Sequence, residues 1–197
     1  MKKIHGKVTD YKGKPLQGAE VLFLDRAQNI IATGYSDNDG YYFLQTEEKT
    51  NGSILCTHNY GVTSLGFSFY NITSDKARDL DIRLGEIEFL DFKKFLDREK
   101  QVIRISFRPV SLKAINDKIE CISPDRFTTE IELLLNGKKQ KCQELEVEKE
   151  IKDDKCTDRY NLILELPKGY DPKSENILEI LMNSKKSGEK GTVWVVA

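Results

Sequence analysis

Histidine is nearly absent. The chain of 197 residues holds only His5 and His58, so acid–base chemistry at neutral pH lacks its usual agent. An excess of one charge is missing too: 31 Lys+Arg stand against 32 Asp+Glu, which excludes the basic footprint of a nucleic-acid binder and an acidic tail. No apolar run approaches the roughly 20 residues that span a bilayer, and no amphipathic membrane helix is evident, so membrane insertion is not expected. The opening Met1-Lys2-Lys3-Ile4-His5-Gly6-Lys7 has no apolar stretch behind it to act as a secretory signal. As it stands the sequence reads as cytoplasmic, or as exported if an upstream signal was removed. Cysteine is scarce: Cys56, Cys121, Cys142 and Cys156 are too few and too irregular for a disulfide framework, and no CxxC pair offers a zinc or redox site. Free thiols are expected. Alternatively, Cys142 and Cys156 could close one loop, which would leave Cys121 to pair with Cys56 or stand alone. HExxH, GxSxG, P-loop and GxGxxG motifs are all missing, and with them the commonest routes to metal, nucleophile or nucleotide chemistry.

What is present is period-two alternation. With 39% hydrophobic and 32% charged residues and five prolines, the chain has the composition of a folded protein. Residues 20–25 place Val21 and Phe23 on one face and Leu22 and Leu24 on the other, the pattern of a strand buried on both sides or paired centrally. Runs 29–35 and 41–46 flank Ser36-Asp37-Asn38-Asp39-Gly40, which reads as a tight hairpin turn. Runs 53–60 and 63–73 follow, and then Leu80, Ile82 and Leu84 alternate with Asp79, Asp81 and Arg83. About seven short strands at this spacing predict a sandwich.

The string Ile4-x-Gly6-x-Val8-x-Asp10-x-x-Gly13-x-Pro15-Leu16-x-Gly18-Ala19-x-Val21, followed by Asp37-x-x-Gly40-x-Tyr42, resembles the carboxypeptidase regulatory-like domain. The later Ile54-Leu55-Cys56 strand leading to Tyr60-Gly61 also fits that pattern, and the likeness covers residues 3–85. It implies a transthyretin-like, immunoglobulin-type β-sandwich. It also implies a supporting or binding role, because members are mostly non-catalytic appendages of larger proteins. The hydrolase branch of transthyretin-like sandwiches carries a histidine-rich signature with no counterpart here.

Composition shifts at residues 86–101. Glu86 to Phe89 alternates like a strand, while Phe89, Phe92 and Phe95 with Leu96 sit at helical spacing, so a strand opening followed by a short linker near 90–101 is expected. Alternation then returns at Ile103, Ile105 and Phe107, at residues 129–135, at Leu162, Leu164 and Leu166, and in runs 176–183 and 192–197. Asn136-Gly137 is a strong hairpin turn and Lys168-Gly169 a weaker one. Within the charged stretch 138–159, Leu145, Val147 and Ile151 alternate with glutamates, as in an edge strand with a charged outer face, and Lys152-Asp153-Asp154-Lys155 reads as a solvated loop. The expectation is an all-β protein of two tandem sandwiches, residues 1–85 and 86–197.

Candidate chemistry is thin. Cys56 and His58 share one strand face, but side chains two apart stand about 7 Å from each other, too far for a nucleophile–base hydrogen bond. His5 reads as a surface strand residue. Asp37-Asn38-Asp39-Gly40 copies part of a calcium loop without the downstream Glu, so it reads as a turn. Asn51-Gly52-Ser53 and Asn71-Ile72-Thr73 match the glycosylation pattern, which is common by chance. Aromatic residues gather in the first half at Tyr35, Tyr41, Tyr42, Tyr60, Phe67, Phe69 and Tyr70. Most must fill the core; Tyr60 and Tyr70, near strand ends, are the candidates for exposure and binding, and Trp194 is expected to pack inside. No catalytic residue, metal ligand or cofactor site is assigned. A non-catalytic module presenting loops or a sheet edge to a protein partner is the leading expectation, polysaccharide binding through exposed tyrosines the second, and an uncharacterised hydrolase the third.

Overall fold

The computed structural model describes every residue except Met1, Glu47, Glu48, Asp153, Asp154, Gly169 and Pro172. The expected Lys168-Gly169 turn and the centre of the Lys152–Lys155 loop therefore lie outside the described residues. The first half contains β1 (Lys2–Asp10), β2 (Glu20–Asp25), β3 (Ile30–Tyr35), β4 (Tyr41–Thr46), β5 (Asn51–Thr57), β6 (Phe67–Thr73), β7 (Arg78–Asp79) and β8 (Ile82–Leu84). The second contains β9 (Ile87–Asp97), β10 (Val102–Ser111), α1 (Leu112–Asn116), β11 (Thr129–Leu135), β12 (Lys138–Gln140), β13 (Cys142–Lys152), β14 (Lys155–Glu165), β15 (Ile177–Ser184) and β16 (Lys190–Val196). The molecule is all-β apart from the short α1.

The two sandwiches are built on one continuous sheet. Eight strands run in the order β12-β11-β15-β16-β6-β5-β2-β3, and the halves meet where β16 pairs parallel to β6. In that pair Trp194 lies opposite Phe69 and Val195 opposite Tyr70. Side chains alternate across a sheet, so the two rows face opposite ways. Phe69 and Trp194 pack in a core made with β4, β1, β7 and β8, which also takes Ile4, Val8, Val21, Phe23, Leu44 and Ile82. Val193, Val195 and Tyr70 pack in a second core against β13-β14-β10-β9, with Phe107, Tyr160, Leu162 and Ile180. The two smaller sheets thus cover opposite faces of the long one. Ile177, Trp194 and Val196 from the second half complete the first core.

Two glycines make this junction possible. A Cβ at Gly85 would lie 2.0 Å from the Lys190 carbonyl oxygen, and one at Gly191 would lie 2.1 Å from that of Ile87, so the chain crossing between halves and the start of β16 touch backbone to backbone. The Glu86 amide donates to the Lys190 carbonyl at 2.8 Å in the same place. Across the far end, Glu175 accepts from Arg78, and Lys76 Nζ lies 2.6 Å from its other oxygen. The hydrogen bond from Arg78 holds the Glu175 carboxyl below its ordinary 4.5, against the opposing effect of burial. A depressed carboxylate stabilises the fold above its unfolded pKa, and that contribution is lost as pH falls through the folded one. Urea midpoints recorded from pH 6 down to pH 3 should therefore decline more steeply below about 4.5 in the native chain than in Glu175→Gln.

Two expectations are corrected. Residues 36–40 do not join paired neighbours: β3 pairs with β2 in the long sheet, while β4 pairs with β1 in the small one. The segment is a corner between layers. The Ser36 amide donates to Ala19 and the Gly40 carbonyl accepts from Val8, so its two ends are claimed by strands of different sheets. The linker expected near 90–101 is also absent, because β9 runs unbroken from Ile87 to Asp97. Ser106 pairs with Lys93 but Arg108 pairs with Leu90, so Asp91 and Phe92 together oppose Phe107 alone, and Asp91 has a φ of 49°. This bulge shifts the parity of the strand. Phe89 and Phe92, three apart, thereby face one core, while Phe95 faces out. What reads as helical spacing is a bulged strand.

Candidate functional site

The β3–β4 corner is where the sandwich is least finished. Asp37 Oδ1 accepts from the amides of Asp39 and Tyr41, both at 2.9 Å, and Gly40 takes a φ of 83°, which fixes the turn. Ser36 anchors it inward: its Oγ accepts from Ala19 N at 2.8 Å and donates to the Leu16 carbonyl at 2.5 Å. The aspartate that resembled a calcium ligand is thus occupied by backbone donors. From this corner β4 sends Tyr42 and Leu44 into the core and Tyr41 and Phe43 outward. On β3, Ile30, Ile31 and Tyr35 also face solvent, and these five large side chains are between 44% and 63% exposed.

Their surroundings are mixed. Lys7 Nζ lies 5.2 Å from the centre of the Tyr41 ring, and His5 Nδ1 is 3.6 Å from Asp79, brought there by the parallel pairing of β1 with β7. Tyr35 donates to Glu20 at 2.9 Å, and that bond to a carboxylate raises its pKa. Backbone geometry matters more, since β3 and β4 each end their sheet without a hydrogen-bonded strand on one flank. Near the corner the two approach each other closely, and a Cβ at Gly34 would lie 2.5 Å from the Phe43 carbonyl oxygen. Neither strand carries a charged residue. The other sheet ends differ: β13 is lined with Glu144, Glu146, Glu148 and Glu150, β9 carries Asp91, Lys93, Lys94 and Asp97, and β12 is three residues long with two lysines. Charge and brevity are the usual defences of an edge, and β7, which ends the small sheet, is two charged residues long. Among the described strands only β3 and β4 are sheet ends that combine length with neutrality.

The tyrosines named from sequence are not brought together. Tyr60 is 55% exposed, and its hydroxyl donates to Glu88 at 2.6 Å; partial burial and that bond both raise its pKa. Tyr70 is half-buried and stacks on Phe92 at 5.1 Å with an interplanar angle of 7°. The second half covers the face of β6 that the first half alone would leave open. Cys56 is fully buried and burial pushes its thiol up, while His58 falls just past the strand end. Trp194 packs edge-on against Phe67 and Phe69 at 5.8 and 5.6 Å.

Several charged groups beneath the surface are tied into the fold, although the buried Asp158 Oδ1 has no hydrogen-bond partner. Arg108 meets Asp91 at 2.5 Å, while Arg159 donates to Glu150 at 2.5 Å and to Ser106 at 3.1 Å. Buried Glu189 accepts from the Ser111 and Ser187 hydroxyls at 2.6 and 2.7 Å and from the Lys113 amide at 2.8 Å, tying β16 to the start of α1. These contacts are structural ties between neighbouring strands and turns. The exposed residues of β3 and β4 could not be found from the sequence, because Tyr41-Tyr42-Phe43-Leu44 is apolar on both faces and reads as a core strand. The available signal was the lack of any charge across residues 30–35 and 41–46 in a chain that is 32% charged.

No protein-family model matches the chain, and no curated protein matches it. Among solved structures it is similar to BcpA, the major pilin subunit of Bacillus cereus, with 14% identity and a TM-score of 0.36 over 98% of this chain and 69% of that one. It is also similar to the Corynebacterium diphtheriae major pilin SpaA, with 8% identity and a TM-score of 0.30 over 92% and 62% of the two chains. A chain from the complex of ICOS with ICOS-L and an anti-ICOS-L VNAR domain matches at 5% identity and a TM-score of 0.33, over 98% of this chain and 94% of that one.

Proposed function

We propose that the protein is a non-catalytic docking module that receives an extended segment of a partner protein along the β3–β4 corner. One observation carries this reading: two adjacent sheet ends, six residues each, are uncharged, unpaired on one flank and bordered by five exposed apolar side chains. An added strand takes its affinity from main-chain hydrogen bonds and its specificity from pockets for alternate side chains. Ile31, Tyr35, Tyr41 and Phe43 would form those pockets. The resemblance of residues 3–85 to carboxypeptidase regulatory-like domains, mostly accessory modules, supports the same role. An exported location would suit such a module, and a polysaccharide is the rival ligand.

The test is a selection of extended peptides from a random library on the full chain, followed by amide hydrogen exchange with and without the best binder. Protection should fall on residues 30–35 or 41–46. Ile31→Lys and Phe43→Lys should each weaken binding tenfold or more, about 1–2 kcal/mol, while shifting stability by no more than about 0.5 kcal/mol because both side chains face water. Protection elsewhere, or a glycan-array signal that Tyr35→Ala removes, would overturn the reading.

A further inference from the structure

We propose that Cys121 and Cys156 form a modification site, closing to an intramolecular disulfide when the protein meets a small-molecule disulfide oxidant. The pairing arises from an insertion. Beyond Phe107, β10 leaves β14 and continues along β9, and residues 121–123 fill the gap. Ser111 N donates to Ile122 O and Ile122 N to Cys156 O, at 2.8 and 2.9 Å. Ser123 Oγ donates to Pro109 O and accepts from Asp158 N, at 2.8 and 2.7 Å. This short insert places Cys121 directly opposite Cys156 in a parallel bridge.

Opposed residues on neighbouring strands project to the same side, with backbones about 4.8 Å apart, inside the roughly 4.4–6.8 Å that a disulfide spans between Cα atoms. The parallel bridge holds the two residues side by side, with Cys121 partly exposed and Cys156 buried. Neither other thiol competes. Cys142 pairs with Leu164 while Cys156 pairs with Ile151, so they sit at opposite ends of the β13–β14 hairpin, roughly 26 Å apart at strand rise. Cys56 is sealed in the other core. The loop considered from sequence between Cys142 and Cys156 cannot close, and the pair brought together is one the spacing did not suggest.

The chemistry is two exchanges. Partly exposed Cys121, as thiolate, attacks one sulfur of the oxidant, and the other half leaves as a thiolate that takes up the proton Cys121 released. The sulfur of buried Cys156 then displaces the first half from Cys121, giving the intramolecular bond and a second small thiol, which carries the Cys156 proton. Two protein thiols are oxidised and one disulfide is reduced to two thiols. Burial foremost, with Cys156 beside it, raises the Cys121 thiol. Closure should therefore be slow at neutral pH and accelerate about tenfold per unit into the alkaline range.

The experiment treats the full chain with glutathione disulfide at pH 8.5, blocks remaining thiols with N-ethylmaleimide and maps peptides without reduction. The expected product links the peptides of Cys121 and Cys156 and leaves Cys56 and Cys142 alkylated. The melting temperature should rise by roughly 8–15 °C, as expected for a loop of this length, and the rise should vanish in Cys121→Ser. Cys121 recovered as the alkylated thiol, as a stable glutathione adduct, or bonded to Cys142 or to a second chain would overturn the proposal. The map of the unmutated protein decides the matter even if the serine variant folds poorly.

Discussion

Trp194→Ala should lower stability by about 3 kcal/mol and the melting temperature by roughly 6–12 °C, with loosening in both halves at once. Trp194 belongs by sequence to the second half and by packing to the first, where it meets Phe67 and Phe69. Its neighbours Val193 and Val195 lie in the second core. One strand therefore supplies side chains to both hydrophobic centres, and removing the indole leaves a cavity at the parallel seam with β6. The wild-type protein offers a direct check, because Trp194 is its only tryptophan. Its fluorescence reports the seam, and far-ultraviolet circular dichroism reports all strands. In urea the two curves should coincide. Two separate transitions would show that the halves unfold independently and that the shared sheet contributes little.

Phe107→Ala should cost about 3–5 kcal/mol, a large share of the roughly 5–15 kcal/mol that holds an ordinary domain together. Phe107 is fully buried and joins three rings: Tyr160 stacked at 5.6 Å, Phe89 tilted at 5.0 Å and Phe92 at 6.3 Å. It also sits opposite the two-residue bulge of β9. Phe107→Leu keeps much of the volume and should retain most of the stability, leaving a difference of at least about 1.5 kcal/mol between the two variants in urea titration. Equal losses would mean that the aromatic stack contributes only its bulk.

Local alternation was readable wherever one face of a strand is wet. Residues 129–135 form β11 over the expected span, and β15 buries every second residue from Leu178 to Ser184. The charged edge anticipated in 138–159 is β13. Legibility ended where partners are distant in sequence. Nothing in residues 63–73 announces that a strand beyond residue 190 lies beside them, or that Phe92 of β9 stacks on Tyr70. The bulge at Asp91 defeated a periodicity argument because two residues opposing one break the parity that such arguments assume. Helix α1 spans five residues, too few to display a period, and is capped by Ser111, which accepts from Ala114 N at 3.0 Å. The candidate site was hidden for a related reason: apolar residues facing out and apolar residues facing in are the same letters, and only the sheet order tells them apart.

The position of β16 bears on how the chain is made. Translation delivers β16 after every other strand of both sandwiches, yet it belongs at the centre of the long sheet, between β6 and β15. Until it emerges, a nascent chain holds both of those strands with a raw flank and Phe67 and Phe69 without their indole neighbour. Such intermediates are sticky, and long-range pairing of this kind forms late. Yield in a cell should thus depend on holdase chaperones during synthesis far more than the finished protein's stability would suggest.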